Sequence, residues 1–304
     1  MPVLGRWTRR RRPGPVAFVL SGGGNLGALQ IGMLRALVER DIRPDLVLGC
    51  SVGAINGAAL AEEPTFAGVA RMERLWRDLD GADLMPGGLL PGAVALARRG
   101  EAIHGNEGLR RALETHLRAR RFEDLAVPFQ CVATDVAGVQ EVWFDTGPLV
   151  EPILASSAIP AVYPPVEIDG VRYLDGAIVD EVPMSRAVEL GARTLYVLQV
   201  SAFARPRREP RRPLDVAVQS FWLARHFRFK RELASMPEGV DVHLLPTGEA
   251  PDVRYNDFTR TAELIALAYR ASSDYLAGRP ARPALPAGGA SPAAVAGHHN
   301  GAAD

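Results

Sequence analysis

Near the start of the chain, short continuous apolar runs alternate with segments whose apolar residues have helical spacing. Residues 16–20 are a short continuous apolar run followed by a glycine-rich turn, which is typical of a strand buried on both faces. Residues 45–48 form a second short strand, and residues 54–61 form a helix of small side chains. Between the two strands lies a helical spacing, whose apolar positions are Ala28, Ile31, Leu34 and Val38. This succession of strand, helix, strand and helix predicts a mostly parallel sheet covered by helices.

Two short runs in the second half of the chain predict a β-hairpin. Residues 166–168 and 171–174 flank Asp169 and Gly170, a pair that is common in two-residue hairpin turns. Asp175 closes the second strand, and the glycine after it permits a tight backbone turn. The carboxylate of Asp175 is therefore expected at the end of a strand.

The middle of the chain has the composition of a folded domain, and the two ends do not. Of the 304 residues, 47% are hydrophobic and 23% are charged, which is enough apolar material for a substantial core. Residues 278–304 are dominated by Ala, Gly and Pro and bury too little surface to offset the entropy lost on ordering. We predict one domain at residues 15–277, preceded by a flexible basic segment at residues 1–14 and followed by a disordered tail.

Charge and cysteine content narrow the choice of partners. The formal net charge is zero, so no overall field attracts the chain to nucleic acid or to an anionic membrane. Cys50 and Cys131 lie in apolar stretches without C-x-x-C spacing, which favours reduced core residues over a metal or redox site. The sequence shows neither a signal peptide nor a run of about 18 apolar residues, so we expect a cytoplasmic protein. We also expect no cofactor.

The turn after the second strand carries the first chemical signal. Ser51 has a glycine two positions away on each side, Gly49 and Gly53. A nucleophilic serine on a sharp strand-to-helix turn needs small neighbours at these two positions. Amides at the start of the following helix would then face a developing oxyanion. The alternative is a serine without a catalytic role in a glycine-rich turn. The position between a strand and a helix favours the interpretation of Ser51 as a nucleophile.

The glycine-rich turn after the first strand has two interpretations. As G-x-G-x-x-G it fits a dinucleotide-binding loop, but such a site also needs an acidic residue near the end of the second strand, where this chain has Gly49, Cys50 and Ser51. Consecutive amides without Cβ atoms also suit an oxyanion hole, and both turns would meet at one edge of a parallel sheet. In that interpretation the oxyanion-hole residues are Gly22, Gly23, Gly24 and Gly27.

Four blocks of the sequence, in this order, resemble the patatin-like phospholipase family. They are residues 22–27 as the oxyanion loop, 49–56 as the nucleophile elbow, 155–160 as the middle block and 175–177 as the Asp-Gly-Ala motif. The resemblance implies a three-layer α/β/α fold, a Ser51–Asp175 dyad without histidine, no metal, and hydrolysis of acyl esters such as phospholipids. Leu26 is a departure, because the family usually has Arg or Lys at this position.

Asp175 is the predicted general base for Ser51. An aspartate with a pKa of about 3.9 in water is a poor base, and a water-poor cleft would raise that pKa and favour direct proton transfer. The expected product of the first step is an acyl-serine, which water then hydrolyses. A triad with His226 or His243 is the competing mechanism, although the predicted strand around His243 favours a structural role for that residue.

Two stretches are candidates for shaping a lipid site. Residues 84–97 mix apolar residues with Gly and Pro, which suits a mobile lid or acyl-chain wall and equally an ordinary packed loop. Residues 221–231 interleave aromatic and basic side chains, so a helix there could lie on an anionic membrane surface. The favoured alternative is a helix that buries Phe221, Trp222 and Phe229 and leaves its charges in solvent.

The sequence as a whole predicts a serine acyl hydrolase that acts on a lipid or another acyl ester and contacts a membrane surface at most transiently. Two other functions stay open. One is a catalytically silent lipid-binding or partner-binding module. The other, less favoured, is an oxidoreductase that binds a dinucleotide at the first glycine loop.

Overall fold

A computed structural model of the protein describes residues 14–79, 102–200, 213–249, 253 and 257–278. Among the helices in these residues, none combines the length and the apolar character needed to cross a bilayer. The strands are β1 (Val16–Leu20), β2 (Leu46–Cys50), β3 (Phe129–Asp135), β4 (Gln140–Phe144), β5 (Val166–Ile168), β6 (Val171–Asp175), β7 (Thr194–Leu198) and β8 (Asp241–Leu244). The α-helices are α1 (Gly27–Val38), α2 (Val52–Glu62), α3 (Phe66–Asp78), α4 (Glu107–His116), α5 (Val150–Ser156), α6 (Met184–Glu189), α7 (Pro213–Ala234) and α8 (Thr261–Leu276).

The described strands form one sheet whose central part is parallel. Across the sheet, β8, β7, β1, β2 and β3 are neighbours in that order and run parallel. β4 pairs antiparallel with β3, and the β5–β6 hairpin joins the sheet through an antiparallel pairing of β6 with β3. The prediction of a mostly parallel sheet is confirmed.

Helices cover both faces of the sheet, as the alternating side chains of β1 show. Phe18 and Leu20 belong to a core cluster that also contains residues of α1, α2, α3 and α8. Ala17 and Val19 point to the other face and belong to a second cluster with residues of α6 and α7. The three-layer α/β/α architecture is therefore confirmed.

The predicted hairpin is present, and its turn has the expected backbone. Asp169 and Gly170 have φ angles of 51° and 80°, as the tight two-residue turns of right-twisted hairpins require. They connect β5 and β6, and β6 ends at Asp175 as predicted.

The pairing of β3 brings the ends of β2 and β6 together. β4 pairs along residues 131–135 of β3, so it occupies one side of that stretch. On the other side, β2 ends with Cys50 opposite Val132, and β6 ends with Asp175 opposite Ala133. The two strands thus approach each other end to end, which places Asp175 beside the residue that precedes Ser51.

Candidate active site

Ser51 lies in the turn between β2 and α2 in a strained backbone conformation. Its φ and ψ are 54° and −124°, a combination that residues with a Cβ atom rarely adopt. Such a conformation costs about 1–3 kcal/mol and persists only where the surrounding structure enforces it. The Ser51 N–H donates to Oγ of Ser156 at 3.0 Å, which fixes the turn from the side of α5. Ser51 is therefore held in one position and is only 5% exposed.

Gly49 and Gly53 permit this turn because backbone atoms approach both of them closely. A Cβ atom on Gly49 would lie 2.3 Å from the carbonyl oxygen of Gly53. A Cβ atom on Gly53 would lie 2.2 Å from the carbonyl oxygen of Leu20, at the end of β1. Both distances are far inside van der Waals contact, so the first turn of α2 packs against β1 and β2 only with glycine at these positions.

Asp175 points its carboxylate at the Ser51 turn. Its Oδ1 accepts a hydrogen bond from the N–H of Ala177 at 2.8 Å and contacts Sγ of Cys50 at 3.8 Å. The Ser51 side chain lies near enough to the same carboxylate to lower its pKa. The main-chain carbonyl of Asp175 accepts from Oγ1 of Thr134 at 2.8 Å, which anchors the end of β6 on β3. The fold thus brings the two residues that the sequence singled out to the same place, with Asp175 against the residue that precedes Ser51.

Burial makes Asp175 a stronger base than an aspartate in water. Asp175 is 3% exposed, and desolvation raises the pKa of its carboxyl from 3.8 to about 6. The hydrogen bond from Ala177, the nearby Ser51 side chain and the positive charge of Arg225 lower the pKa, but their effect is smaller than that of burial. The result is a carboxylate that is ionised at neutral pH and has a pKa suited to accepting a proton.

The glycine loop after β1 lies next to Ser51, and its amides fall into two groups. The Gly22 N–H donates to the carbonyl oxygen of Glu181 at 3.3 Å. The Gly27 N–H donates back into the short 3₁₀ turn that precedes α1. Both amides already donate to main-chain carbonyl oxygens, so neither is free to bind an oxyanion. The predicted set of four oxyanion donors is thereby reduced to two. Gly23 and Gly24 are left as the candidates.

Close packing requires glycine at one end of this loop only. A Cβ atom on Gly22 would lie 3.4 Å from Cβ of Ser51, an ordinary contact that shows how near the loop passes to Ser51. A Cβ atom on Gly27 would lie 2.3 Å from a methyl carbon of Val52 and 2.8 Å from the Trp76 ring. Gly27 therefore allows the start of α1 to approach α2 and α3 closely.

A buried hydrogen-bond network supports the loop from behind. The side-chain amide of Gln30 donates to the carbonyl oxygen of Ser21 at 2.8 Å. Asn56 donates to the carbonyl oxygen of Gly27 at 3.1 Å and to Oε1 of Gln30 at 2.9 Å, and Trp76 Nε1 donates to Oδ1 of Asn56 at 2.9 Å. Sequence reasoning gave these residues no role, because their partners lie on other helices and no local pattern indicates them.

A second contact that the sequence did not indicate connects α7 to the loop after Asp175. Arg225 Nη1 lies 2.8 Å from Oε1 of Glu181, and both side chains are largely buried. Glu181 also accepts the hydrogen bond from Gly22 through its main-chain carbonyl. The ion pair thus joins α7 to the two segments that flank the Ser51 hydroxyl.

A cavity of about 150 Å³ opens beside Ser51. Side chains of α2, α3 and α4 form most of its wall, and Gly24, Ser51 and Ser157 also line it. The apolar lining residues include Ile55, Met72, Leu75, Leu109 and Leu113. The cavity therefore suits a hydrocarbon chain whose reactive end lies at Ser51.

The two histidines considered for a triad lie elsewhere. His226 stacks on Trp222 within α7, with the ring centroids 4.7 Å apart. His243 on β8 stacks on Tyr196 at 4.7 Å, and its Nδ1 lies 3.3 Å from the hydroxyl of Tyr275. Within the described residues, neither histidine lines the cavity beside Ser51. This arrangement favours the dyad over the triad.

The remaining predictions from the sequence have different outcomes. Residues 84–97, the candidate lid, lie outside the described residues. Leu26 is buried in the core, where the family usually has a basic residue. In α7, Phe229 is buried as expected, but Phe221 is exposed and Phe227 is 67% exposed. The favoured expectation that Phe221 is buried is therefore wrong, because α7 places only part of its aromatic surface against the sheet.

The comparison with known sequences agrees with this geometry. A sequence model of the patatin-like phospholipase family matches residues 18–188, which include both glycine loops, Ser51 and Asp175. The chain belongs to the patatin-like phospholipase family. The resemblance inferred from four short motifs is confirmed.

Relatives within the patatin-like phospholipase family are considerably longer than this chain. Patatin-like phospholipase domain-containing protein 7 of Rattus norvegicus is 28% identical over 190 residues, which are 62% of this chain and 14% of that protein. Lysophospholipase NTE1 of Mycosarcoma maydis is 30% identical over 208 residues, which are 65% of this chain and 10% of that protein. The solved structure of VipD from Legionella pneumophila has a TM-score of 0.46 and 15% identity, covering 88% of this chain and 67% of VipD.

Proposed function

We propose that the protein is a lipid acyl hydrolase in which Ser51 is the nucleophile and Asp175 the general base. The observation that carries the proposal is the position of the buried Asp175 carboxylate against the Ser51 turn, beside an apolar cavity that Ser51 lines. Membership of the patatin-like phospholipase family supports it, and favours the oxyanion interpretation of the glycine loop over a dinucleotide site.

In the acylation step, Oγ of Ser51 attacks the carbonyl carbon of the ester while its proton passes to Asp175. The negative charge that develops on the carbonyl oxygen is stabilised by the amides of Gly23 and Gly24. When the tetrahedral intermediate collapses, the bond to the alkoxy oxygen breaks and that oxygen takes the proton from Asp175. The alcohol leaves, and the acyl group remains esterified to Ser51.

In the deacylation step, water attacks the acyl-serine and gives its proton to Asp175. Collapse of this second intermediate releases the fatty acid and returns the proton to Oγ of Ser51. Asp175 thus acts as base and acid in each half of the cycle, so a pKa of about 6 is better matched to the task than 3.8.

The proposed substrate is an ester of a long-chain fatty acid, with its acyl chain in the apolar cavity. Removing a CH₂ group from water contributes about 0.8 kcal/mol, so the lining of α2, α3 and α4 would favour longer chains. A phospholipid or lysophospholipid fits this requirement, and one relative carries the name lysophospholipase.

A fluorophosphonate probe tests the function directly. We expect it to label the wild-type protein and Ser272→Ala, and to leave Ser51→Ala unlabelled. Ser272 is a suitable control because it is a buried serine whose hydroxyl donates to the carbonyl oxygen of Pro246. A folded wild-type protein that neither reacts with the probe nor hydrolyses acyl esters would instead be the catalytically silent lipid-binding module.

We further propose that the protein works in the cytoplasm and meets its lipid by transient contact of α7 with a membrane. Val216, Leu223 and Phe227 are exposed large apolar residues of α7, and their spacing of seven and four places them on one face. Lys230 and Arg231 are exposed beside them and would face anionic lipid headgroups. This local charge pattern supports weak binding although the net charge of the chain is zero.

A further inference from the structure

We propose that Ser157 is a substrate-binding residue whose hydroxyl donates a hydrogen bond to the alkoxy oxygen of the bound ester, the oxygen that leaves with the alcohol. The inference rests on the proposed function, because it assigns a second hydroxyl to the same reaction. It begins from a side chain that the chemistry described above does not use.

The Ser157 hydroxyl is buried without a hydrogen-bond partner among the described residues. Ser157 is 4% exposed, and its Oγ is fully enclosed. A buried hydroxyl that makes no hydrogen bond costs about 1–3 kcal/mol, so such groups are rare in folded proteins. A buried hydroxyl without a protein partner is expected where a bound ligand supplies the acceptor.

The place of Ser157 in the site indicates which ligand that is. Ser157 lines the same cavity as Ser51 and Gly24. The preceding residue, Ser156, has a hydrogen-bond partner, because its Oγ accepts the Ser51 N–H at 3.0 Å. Of these two successive serines, Ser156 holds the Ser51 turn, and Ser157 lies in the wall of the cavity, where rotation about its χ1 angle can turn the hydroxyl toward a bound ester.

The ester offers two oxygen atoms near Ser51, and the loop amides already account for one of them. The carbonyl oxygen faces Gly23 and Gly24 in the proposed mechanism, so the alkoxy oxygen is the acceptor that remains for Ser157. This oxygen gains negative charge as its bond to the carbonyl carbon breaks. A donor placed there stabilises the transition state more than the bound ester, and it therefore raises kcat as well as lowering KM.

The experiment compares two substrates that differ in one atom, an octanoyl oxygen ester and the octanoyl thioester of the corresponding thiol. Sulfur is a weak hydrogen-bond acceptor, so the thioester cannot use the donor. We expect Ser157→Ala and the nearly isosteric Ser157→Cys to lower kcat/KM about tenfold or more for the oxygen ester. The same variants should change kcat/KM for the thioester by less than a factor of two.

Thermal unfolding separates this role from a structural one. Ser157→Ala removes an unsatisfied polar group, so we expect its Tm to stay equal or to rise by up to about 4 °C. Ser272→Ala removes a hydroxyl that donates to the carbonyl oxygen of Pro246, so its Tm should fall while kcat/KM for both substrates stays unchanged. A gain in stability together with a substrate-dependent loss of activity is the expected signature of Ser157.

Three results would overturn the assignment. In the first, Ser157→Ala hydrolyses the oxygen ester as fast as the wild type. In the second, it loses the same factor on both substrates, so that the hydroxyl does not act on the alkoxy oxygen. In the third, its Tm falls as that of Ser272→Ala does. An inactive wild-type protein that also resists the fluorophosphonate probe would instead refute the proposed hydrolase function.

Discussion

Ser51 and Asp175 each bring an energetic cost to the folded protein. The positive φ of Ser51 costs about 1–3 kcal/mol, and the Asp175 carboxylate loses its hydration when it is buried beside Cys50 and Ala177. Neither cost serves the stability of the fold. Both place reactive atoms where the proposed reaction needs them, so the two residues are positions where activity and stability should oppose each other.

The first prediction concerns the pH dependence of the reaction. Asp175 must be ionised to accept the Ser51 proton, and its pKa is about 6. We expect kcat/KM for an acyl ester to fall tenfold per pH unit below about 6 and to be flat just above it. Asp180 is the control, because it is a second buried carboxyl and burial raises its pKa to about 8. In Asp180→Asn the acid limb should stay near pH 6, and a limb that moved would assign the profile to Asp180 instead.

The second prediction is that Asp175→Asn is more stable than the wild type and inactive. The folded-state pKa is raised, so Asp175 favours the folded state below about pH 3.8 and loses that contribution as the pH rises through about 6. At pH 8 the ionised carboxylate costs about 3 kcal/mol relative to low pH. Asparagine keeps an oxygen acceptor for the Ala177 N–H and carries no charge.

Urea unfolding at two pH values measures this effect. Asp175→Asn should exceed the wild type in free energy of unfolding at pH 8, and the difference should shrink toward pH 4. A variant that is less stable than the wild type at pH 8 would contradict the conclusion that desolvation dominates at Asp175.

The Ser51 turn depends on close packing between β1, β2 and α2. Gly53 lies where a Cβ atom would overlap the backbone of β1, at 2.2 Å from the carbonyl oxygen of Leu20 and 2.6 Å from that of Ser21. Backbone atoms of a central strand cannot move aside as a flexible side chain can. The geometry of the Ser51 turn is therefore a property of three elements packed together.

The third prediction uses this difference between glycines. Gly53→Ala should lower the free energy of unfolding by at least about 2 kcal/mol and abolish labelling of Ser51, because the helix must move away from β1. Gly22→Ala is the matched control for stability, since its nearest neighbour would be Cβ of Ser51 at 3.4 Å, an ordinary contact. Equal stability losses in the two variants, measured by urea unfolding, would refute the steric argument.

The fourth prediction concerns the exposed face of α7. We expect wild-type protein to sediment with anionic phosphatidylserine vesicles at low salt, and less at high salt, because Lys230 and Arg231 contribute electrostatic attraction. The double variant Leu223→Ser, Phe227→Ser should bind less. Leu190→Ser is the control, as Leu190 is 40% exposed and lies outside α7. Equal binding by all three proteins would remove α7 from the membrane contact.

The complete domain is organised around one sheet and the helices on its two faces. Within the described residues, the hydrophobic core clusters draw only on residues between β1 and α8. Pro15 also contributes to the fold, because its carbonyl oxygen accepts the Arg193 N–H at 2.9 Å. Residues 1–13 and 279–304 lie outside the described part of the chain, so the domain limits stay a prediction.

The fifth prediction is that a chain of residues 15–277 folds by itself. Its Tm should lie within about 2 °C of that of the 304-residue chain, because no described core contact is removed. Its kcat/KM for an acyl ester should be unchanged as well. A large loss of Tm, measured by calorimetry on both chains, would show that residues beyond these limits take part in the domain.

Short-range sequence features were sufficient for the parts of the protein that depend on neighbouring residues. The apolar run of β1, the Asp169–Gly170 turn, and the glycines around Ser51 each act within a few positions, and the structure has the predicted element at each. The order of four motifs was also enough to indicate the family, since residues 22–177 carry them within one matched region.

The contacts between the parts of the site depend on segments that are far apart in the sequence. Asp175 meets Ser51 because β3 pairs with the ends of both β2 and β6, and no local pattern specifies that register. The same holds for the engaged amides of Gly22 and Gly27, and for the unpartnered hydroxyl of Ser157. Hydrogen bonding and desolvation depend on atoms from distant segments, so the raised pKa of Asp175 is a property of the folded chain.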